Sequence, residues 1–346
     1  MHVMPPMLLR PIAKGRAWGG ATFVQWGKFA KPQAGALPIG ESWELADLQL
    51  STPGGSSEIE TGIYAGQTLH DAIHHDQRSI MGRAQLSPVG RFPLLVKFLD
   101  TAEHLSVQVH PSEALSQADA TCQLKNESWM VLHAQPGARI WRGIRAGVAR
   151  EQFHETLRRG GDIIPYLIEI KVRAGDCIHL PSGLCHALGE GITVAEIQTP
   201  SDTTFRVFDW NRNDSTRPLH IDQALASMLF GNEQQLDSIP VVNALDMPPV
   251  LTREFRTTLL LNTRDYRMER LEALQDAALP VVTHQRPSCW IVLAGGVAIS
   301  EPQRVEAGAW RTLLVPAAAE GMTAHFKKGS CVLRISVPDP MDRWIA

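Results

Sequence analysis

Apolar and polar residues alternate along the chain in short runs, which predicts a protein built mainly of β-strands. Successive side chains of a strand point to opposite faces of the sheet, so an alternating run buries one of its faces. Gly, Pro or Asp follows these runs at close intervals and marks the turns between strands. The predicted strands are PLLVKFLD, LSVQVH, SWMVLH, LIEIKV, CIHLP, GITVAEIQT and TFRVFDW between residues 93 and 210, and TTLLLN, SCWIVLAGGVAI, RTLLVP and CVLRISV between residues 257 and 337. A chain of many short strands is typical of a β-sandwich, barrel or jelly roll.

Three segments predict helices instead of strands. Residues 67–82 space Leu69, Ile73 and Ile80 at roughly helical intervals and end at Gly82. Residues 148–161 carry two arginines in the last turn and end in two glycines, as helix C-termini often do. Residues 221–231 form the third predicted helix. Because these helices are few and short, the fold class remains mainly β.

A change in composition predicts two domains. Residues 231–250 are polar and contain three prolines, which favours a linker or a crossing segment. We expect residues 1–240 to form the functional domain, with a short helical excursion at about residues 141–165. Residues 241–346 are expected to form a second, smaller β-domain without a metal site.

Size and charge exclude several classes of function. The chain has 346 residues, of which 44% are hydrophobic, and its formal net charge is −3. Since Lys and Arg form no basic stripe, we expect no nucleic-acid partner and no binding to an anionic membrane. A core of this size needs neither disulfides nor a structural metal, so a bound metal would serve chemistry.

Cysteine usage and hydropathy indicate the cellular compartment. The five cysteines are odd in number, scattered and without a CxxC motif, which favours free thiols in a reducing compartment. No apolar run approaches the ~20 residues of a transmembrane helix, and the apolar segment near the N-terminus is too short for a signal peptide. We therefore expect a cytoplasmic enzyme or binding protein.

Three separate segments contain residues that could bind a metal ion. Residues 104–110 alternate strictly, which places Gln108 and His110 on the polar face of a predicted strand. Strand alternation puts Glu127 on one face with Lys125 and Trp129, and His186 follows a predicted turn. Two imidazoles and a carboxylate, with a neutral amide oxygen as a fourth donor, form a ligand set that suits catalytic zinc.

The pattern alone leaves two interpretations open. A histidine taken singly is more often a surface or hydrogen-bonded residue than a ligand, and Glu and Gln on strands are usually solvated. The metal interpretation depends on Glu127, because burying an unpaired carboxylate is costly without a cation. Lys97 and Arg206 raise a similar question, since each is a cation within an otherwise apolar strand.

At these residues the chain resembles type I phosphomannose isomerases of the short bacterial kind, within the cupin superfamily. Eight motifs follow one another in the order of the family, and such a series is far more specific than any one motif. They are RAWGG at residue 16, GESWELAD at 40, FPLLVKFLD at 92, LSVQVHP at 105, KNESWMVL at 125, AGDCIHLPSGLCHALGEGI at 174, AEIQTPSDTTFRVFDWNR at 195 and RPLHIDQAL at 217. The last hundred residues resemble the second β-domain of the family only weakly.

The resemblance implies a fold and a ligand set. It implies two jelly-roll, cupin-like β-domains, of which residues 1–240 form the catalytic one. It also implies one Zn²⁺ per chain, bound by His110, Glu127 and His186, with Gln108 as an added ligand in many members.

The resemblance further implies the residues that act on the substrate. Arg206 matches the active-site arginine of the family, and Glu196 and Lys125 match its essential glutamate and lysine. Ser106 matches a residue near the substrate phosphate, and we add Lys97 and Arg212 as predicted phosphate contacts.

The implied reaction interconverts mannose 6-phosphate and fructose 6-phosphate through an enediol(ate). Glu196 is the first candidate for the base, and a metal-organised water, Lys125 or a histidine are the alternatives. Phe205 and Phe208 stand where tyrosine is common in the family, which affects substrate preference rather than the reaction.

The alternatives come from other functional classes. A cupin oxygenase uses a similar His-rich ligand set with iron, and a non-catalytic sugar-phosphate-binding protein could retain the barrel. The expected partner is in each case a small molecule, which for the isomerase is a sugar phosphate, and the chain is expected to be a monomer or a small homo-oligomer.

Overall fold

The computed structural model describes residues 3–49, 52, 54–119, 122–212, 217–300 and 303–338. Strands make up 37% and helices 17% of the structure, which confirms the predicted mainly β fold class. None of the helices in these ranges is long and apolar enough to span a membrane.

The strands of the described residues are numbered in chain order. They are β1 (Met7–Leu9), β2 (Ile12–Gly15), β3 (Ile39–Leu45), β4 (Leu95–Thr101), β5 (Val107–Val109), β6 (Glu127–Ala134), β7 (Arg139–Ile144), β8 (Leu167–Lys171), β9 (Asp176–Leu180), β10 (His186–Leu188), β11 (Ile192–Gln198), β12 (Phe205–Phe208), β13 (Val242–Asn243), β14 (Val250–Leu251), β15 (Phe255–Asn262), β16 (Arg267–Ala273), β17 (Ala277–Pro280), β18 (Ser288–Ala294), β19 (Gly296–Ser300), β20 (Val305–Gly308), β21 (Thr312–Val315), β22 (Thr323–Phe326) and β23 (Cys331–Ser336).

The helices are short and connect the strands. The α-helices are α1 (Thr22–Gln25), α2 (Leu69–Met81), α3 (Glu113–Ala118), α4 (Arg150–Arg158) and α5 (Ile221–Ser227), and the 3₁₀-helices are Gly62–Tyr64, Ile164–Tyr166, Gly231–Gln234, Leu236–Ser238 and Ala317–Ala319. Helices α2, α4 and α5 lie within the three segments predicted to be helical. Helix α2 begins after Thr68, whose side chain accepts a hydrogen bond from the Asp71 N–H, and ends at Gly82.

The chain divides into two compact units. Unit 1 comprises residues 1–13, 42–97 and 242–346, and unit 2 comprises residues 14–41 and 98–241. The predicted boundary at residue 240 falls beside the start of the last segment of unit 1. Residues 1–13 and 42–97 nevertheless belong with that C-terminal segment, whereas the predicted division followed chain order alone.

Unit 2 contains two groups of antiparallel strands that share an apolar core. One sheet has the order β12-β5-β10-β7-β8, and in the other group β6 lies between β9 and β11. Ile140 and Leu188 of the first sheet pack in one cluster with Trp129, Ile178 and Val194 of the second group. These inner faces therefore enclose the interior of the unit.

The outer face of the five-stranded sheet is covered by helices. Val107 and Val109 pack there with Phe153 of α4 and Leu225 of α5. Val107 and Val109, two of the three apolar residues of the alternating segment 104–110, are therefore buried as predicted, and strand alternation turns Gln108 to the opposite, inner face.

Strand β7 (Arg139–Ile144) overlaps the start of the region predicted as a helical excursion. Residues 141–144 belong to this strand, which pairs with both β10 and β8, and the α-helix of this region is α4. Gly143 has φ +83° and coincides with a shift of register against β8. This irregularity interrupts the alternation by which a strand is recognised in the sequence.

Unit 1 contains a seven-stranded and a four-stranded sheet. Their orders are β1-β21-β18-β23-β16-β15-β14 and β17-β22-β19-β20. The run SCWIVLAGGVAI, predicted as one strand segment, contributes β18 to one sheet and β19 to the other. The break falls at Gly295, which has φ +65° and where a Cβ atom would lie 2.6 Å from Ser330 Oγ.

Candidate metal centre

Three strands of unit 2 bring polar side chains into one row. His186 of β10 pairs directly with Gln108 of β5, and Gln108 pairs on its other side with Arg206 of β12. Residues that are directly opposite in an antiparallel pair point to the same face of the sheet. The three side chains therefore share the inner face, although they come from distant parts of the sequence.

A fully buried carboxylate lies between the two predicted histidine ligands. Glu127 Oε2 is 3.2 Å from His110 Nε2, and Glu127 Oε1 is 3.1 Å from His186 Nε2. All three residues have 0% exposure, and a candidate ligand atom from each lies within 4.8 Å of the others. Gln108 Nε2 is 3.3 Å from His186 Nε2, so the side chain of Gln108 also borders the cluster, through its amide nitrogen.

The backbone orients both histidines toward Glu127. His110 Nδ1 lies 3.1 Å from Thr203 O and His186 Nδ1 lies 2.8 Å from Leu184 O. Because a carbonyl oxygen only accepts, each Nδ1 carries the proton and each neutral ring turns the lone pair of its Nε2 toward the carboxylate. Lone pairs of three acceptors repel one another at this range, so the arrangement fits a cation between them.

Charges around the cluster favour the protonation states that metal ligands need. Burial, followed by the nearby Lys125 ammonium, lowers the pKa of His110 to about 3. Burial alone would raise the pKa of Glu127, but the nearby Lys125 ammonium holds it well below its usual value. Lys125 Nζ lies 2.7 Å from Glu127 Oε2. At neutral pH, His110 is therefore neutral and Glu127 is an anion.

A second buried carboxylate lies on the neighbouring strand. Glu196 of β11 pairs with Trp129 of β6, and Trp129 Nε1 donates a hydrogen bond of 3.0 Å to Glu196 Oε2. Gln198, two residues further along β11, pairs with Glu127. The amide nitrogen of Gln198 donates to Thr199 O and Ser201 O, whereas its Oε1 is buried without a hydrogen-bond partner among the described residues.

The remaining predicted site residues of unit 2 have different surroundings. Ser106 is buried and precedes Gln108 by two residues. Arg206 Nη1 donates a 2.8 Å hydrogen bond to Pro218 O. Arg212 lies 3.0 Å from Glu103 Oε2 and 3.3 Å from Asp209 Oδ1, so two carboxylates already contact the guanidinium predicted to bind phosphate.

Lys97 is the one predicted site residue assigned to unit 1. Its side chain is buried, and Nζ lies 5.4 Å from the centroid of the Trp43 ring. The cation in the apolar strand thus lies against an aromatic face, as cation–π contacts do. Its predicted contact with phosphate remains a prediction.

Two residues of the cluster had no functional role in the sequence interpretation. Strand alternation placed Trp129 on one face with Glu127, but no function was assigned to Trp129 or Gln198 from the sequence. Only the pairing of β6 with β11 reveals that Trp129 lies opposite Glu196 and that Gln198 lies opposite Glu127.

Known proteins match the chain in sequence and in structure. A family model described as "Phosphomannose isomerase type I, catalytic domain" matches residues 7–136. Mannose-6-phosphate isomerase ManA of Bacillus subtilis is 34% identical over 64% of this chain and 67% of its own length. The probable mannose-6-phosphate isomerase GmuF of the same organism is 32% identical over 96% of this chain and 99% of its own length.

The solved structures extend the likeness to the fold of almost the whole chain. The crystal structure of mannose 6-phosphate isomerase from Bacillus subtilis has a TM-score of 0.79 at 26% identity and covers 96% of this chain and 100% of that one. A putative mannosephosphate isomerase from Archaeoglobus fulgidus has a TM-score of 0.70 at 19% identity, covering 98% of this chain and 100% of that one. At that identity, the second likeness concerns the fold alone.

The fold and the site define a class: mainly antiparallel β proteins with a buried His–Glu–His cluster able to hold a metal ion. Within this class, the extent and identity of the sequence matches decide the family. The chain belongs to the type I phosphomannose isomerase family. The predicted family and the prediction of an isomerase are thereby confirmed.

Proposed function

We propose that the chain is a zinc-dependent isomerase that interconverts mannose 6-phosphate and fructose 6-phosphate through an enediol(ate) intermediate. Membership in the family supports the reaction class. The observation that carries the proposal is the buried cluster of His110, Glu127 and His186. The second buried carboxylate, Glu196, lies on β11, which pairs with the strand β6 that carries Glu127. Carbon-to-carbon proton transfer needs a base, and the charge that develops on oxygen needs stabilisation.

Zinc fits the donors in the cluster. Two neutral imidazoles and one carboxylate are the ligands that catalytic Zn²⁺ takes, with one position left open. His110, Glu127 and His186 would hold the ion. Gln108 lies beside His186, and its amide oxygen would be the additional donor. When bound, Zn²⁺ supplies a Lewis acid that stabilises negative charge on a substrate oxygen.

The proton transfer is assigned to a residue of the chain itself. Glu196 would remove the proton from the carbon next to the carbonyl and, after exchange of the acid proton with solvent, deliver a proton to the former carbonyl carbon. Trp129 holds one oxygen of this carboxylate, so the base enters the reaction already oriented. A metal-organised water, Lys125 or a histidine remain the alternative bases.

Positive side chains at the cluster would stabilise the intermediate. Arg206 follows Gln108 in the cross-strand row, where its guanidinium would face the oxygen that becomes negative. Lys125 balances the charge of Glu127 and would keep the site close to neutral before substrate enters. Ser106, Lys97 and Arg212 are proposed as phosphate contacts, and Arg212 would then exchange a carboxylate partner for the phosphate.

The proposed reaction is tested by nuclear magnetic resonance in D₂O with fructose 6-phosphate as substrate. We expect mannose 6-phosphate to form and to carry deuterium at C2, because an enediol(ate) takes its new proton from a base that exchanges with solvent. Glu196→Gln should slow both the interconversion and the deuterium incorporation.

Two results would contradict different parts of the proposal. A protein that does not interconvert the two sugars would contradict the substrate assignment. Complete retention of the substrate hydrogen in the product would contradict the enediol(ate) route while leaving the substrate assignment intact.

A further inference from the structure

Trp129 is among the largest fully buried side chains of the described residues, and it contacts the proposed base. It is 1% exposed and packs among the apolar residues between the two groups of strands in unit 2. The one polar atom of this side chain, Nε1, is hydrogen-bonded, because it donates to Glu196 Oε2 at 3.0 Å. A hydrogen bond to a charged acceptor in such a place is stronger than one between neutral groups.

The same indole ring also contacts the candidate metal centre. Its centroid lies 5.5 Å from that of the His186 ring, at an interplanar angle of 78°. Edge-to-face contacts of this kind restrict the tilt of both rings. Glu127 precedes Trp129 by two residues on the same face of β6, so one strand presents both a candidate ligand and the contact to the base.

We propose that Trp129 is a positioning residue, which holds the Glu196 carboxylate in its reactive orientation and fixes its distance from the metal centre. This inference rests on the proposed function, in which Glu196 transfers the proton. A flexible donor would let the carboxylate rotate, whereas the buried indole has two side-chain torsions, both restricted by the packing around it. The effect is therefore expected on turnover rather than on substrate or metal binding.

The test compares two tryptophans in the same unit. Trp129→Phe removes the N–H and keeps an aromatic ring. Trp141→Phe is the matched control, because Trp141 is also buried in unit 2 but its Nε1 has no hydrogen-bond partner among the described residues.

Kinetics and metal analysis give the first readout. We expect Trp129→Phe to lower kcat roughly tenfold to a hundredfold, the loss of a hydrogen bond to a charged group, with KM and zinc content close to those of the wild type. Trp141→Phe should keep the wild-type kcat. Equal losses in the two variants, or a loss of zinc in Trp129→Phe, would show that Trp129 serves packing and would overturn the proposal.

A double-mutant cycle tests whether Trp129 acts through Glu196. In the background of Glu196→Gln, adding Trp129→Phe should change kcat little, because the carboxylate that it positions is already lost. The same fold-loss in both backgrounds would overturn the proposal. A wild-type protein without isomerase activity would instead contradict the proposed function.

Nuclear magnetic resonance of the indole N–H protons measures the contact between Trp129 and Glu196 without altering Trp129. This measurement tests the proposal even if Trp129→Phe does not fold. In the wild-type protein, one indole proton should lie far downfield and move upfield in Glu196→Gln, where a neutral amide replaces the charged acceptor. The remaining indole protons should keep their positions. An unchanged spectrum would overturn the proposal.

Discussion

Replacing Glu127 with glutamine is expected to abolish metal binding and isomerase activity together. The carboxylate lies between His110 and His186 at 3.1–3.2 Å, so it is the one donor that contacts both other candidate ligands. Changes to residues that only orient a ligand cost about 10- to 100-fold in metal affinity, and loss of a ligand should exceed this. Zinc content of the purified protein, measured beside kcat, checks the prediction.

A second variant separates ligand loss from destabilisation. Glu127→Gln leaves the buried Lys125 ammonium without its 2.7 Å partner, which itself destabilises the fold. His186→Gln removes a nitrogen ligand but keeps that ion pair, and it should also lose zinc. Glu169→Gln, an exposed change in the same unit, is the control. Full zinc content in His186→Gln and Glu127→Gln would contradict the assigned metal centre.

Replacing Arg206 with alanine is expected to reduce turnover without loss of the metal. Arg206 lies next to Gln108 in the cross-strand row but not among the three clustered donors. Removing one group that stabilises a developing negative charge typically costs about 10²–10³ in kcat. Arg206→Lys should recover part of the rate, because it restores the charge but not the planar guanidinium.

A matched arginine controls for the loss of a surface hydrogen bond. Arg206 Nη1 donates to the carbonyl of Pro218, and the exposed Arg145 likewise donates to the carbonyl of Pro165. Arg145→Ala should therefore keep the wild-type kcat. A loss of zinc in Arg206→Ala would mean that Arg206 maintains the site, and its role in the reaction would have to be withdrawn.

The sequence predicted strands such as β5 because apolar and polar residues alternate along them. Val107 and Val109 are buried on the face opposite Gln108, and an alternating segment is determined by its own residues. The same reasoning placed Glu127 on one face with Lys125 and Trp129. The metal candidates could be named since histidines and a carboxylate in apolar strands demand a partner.

What the sequence could not supply is the pairing between distant strands. Glu196 meets Trp129 only because β11 pairs with β6 in one particular register, and nothing local to either strand specifies that register. The grouping of residues 42–97 with residues 242–346 has the same origin. The sequence shows a glycine at the break between β18 and β19, Gly295. It does not show the close approach of Ser330, which leaves no room for a Cβ atom at this position.

The central claim is that one metal ion held by His110, Glu127 and His186 is required for isomerisation. The most direct measurement follows activity on mannose 6-phosphate against bound zinc, while a chelator removes the metal and zinc is then added back. We predict that activity falls in proportion to the bound zinc and reaches zero when the one ion per chain has been removed. Activity should return when zinc is added back. Full activity in protein freed of all metal would contradict the account.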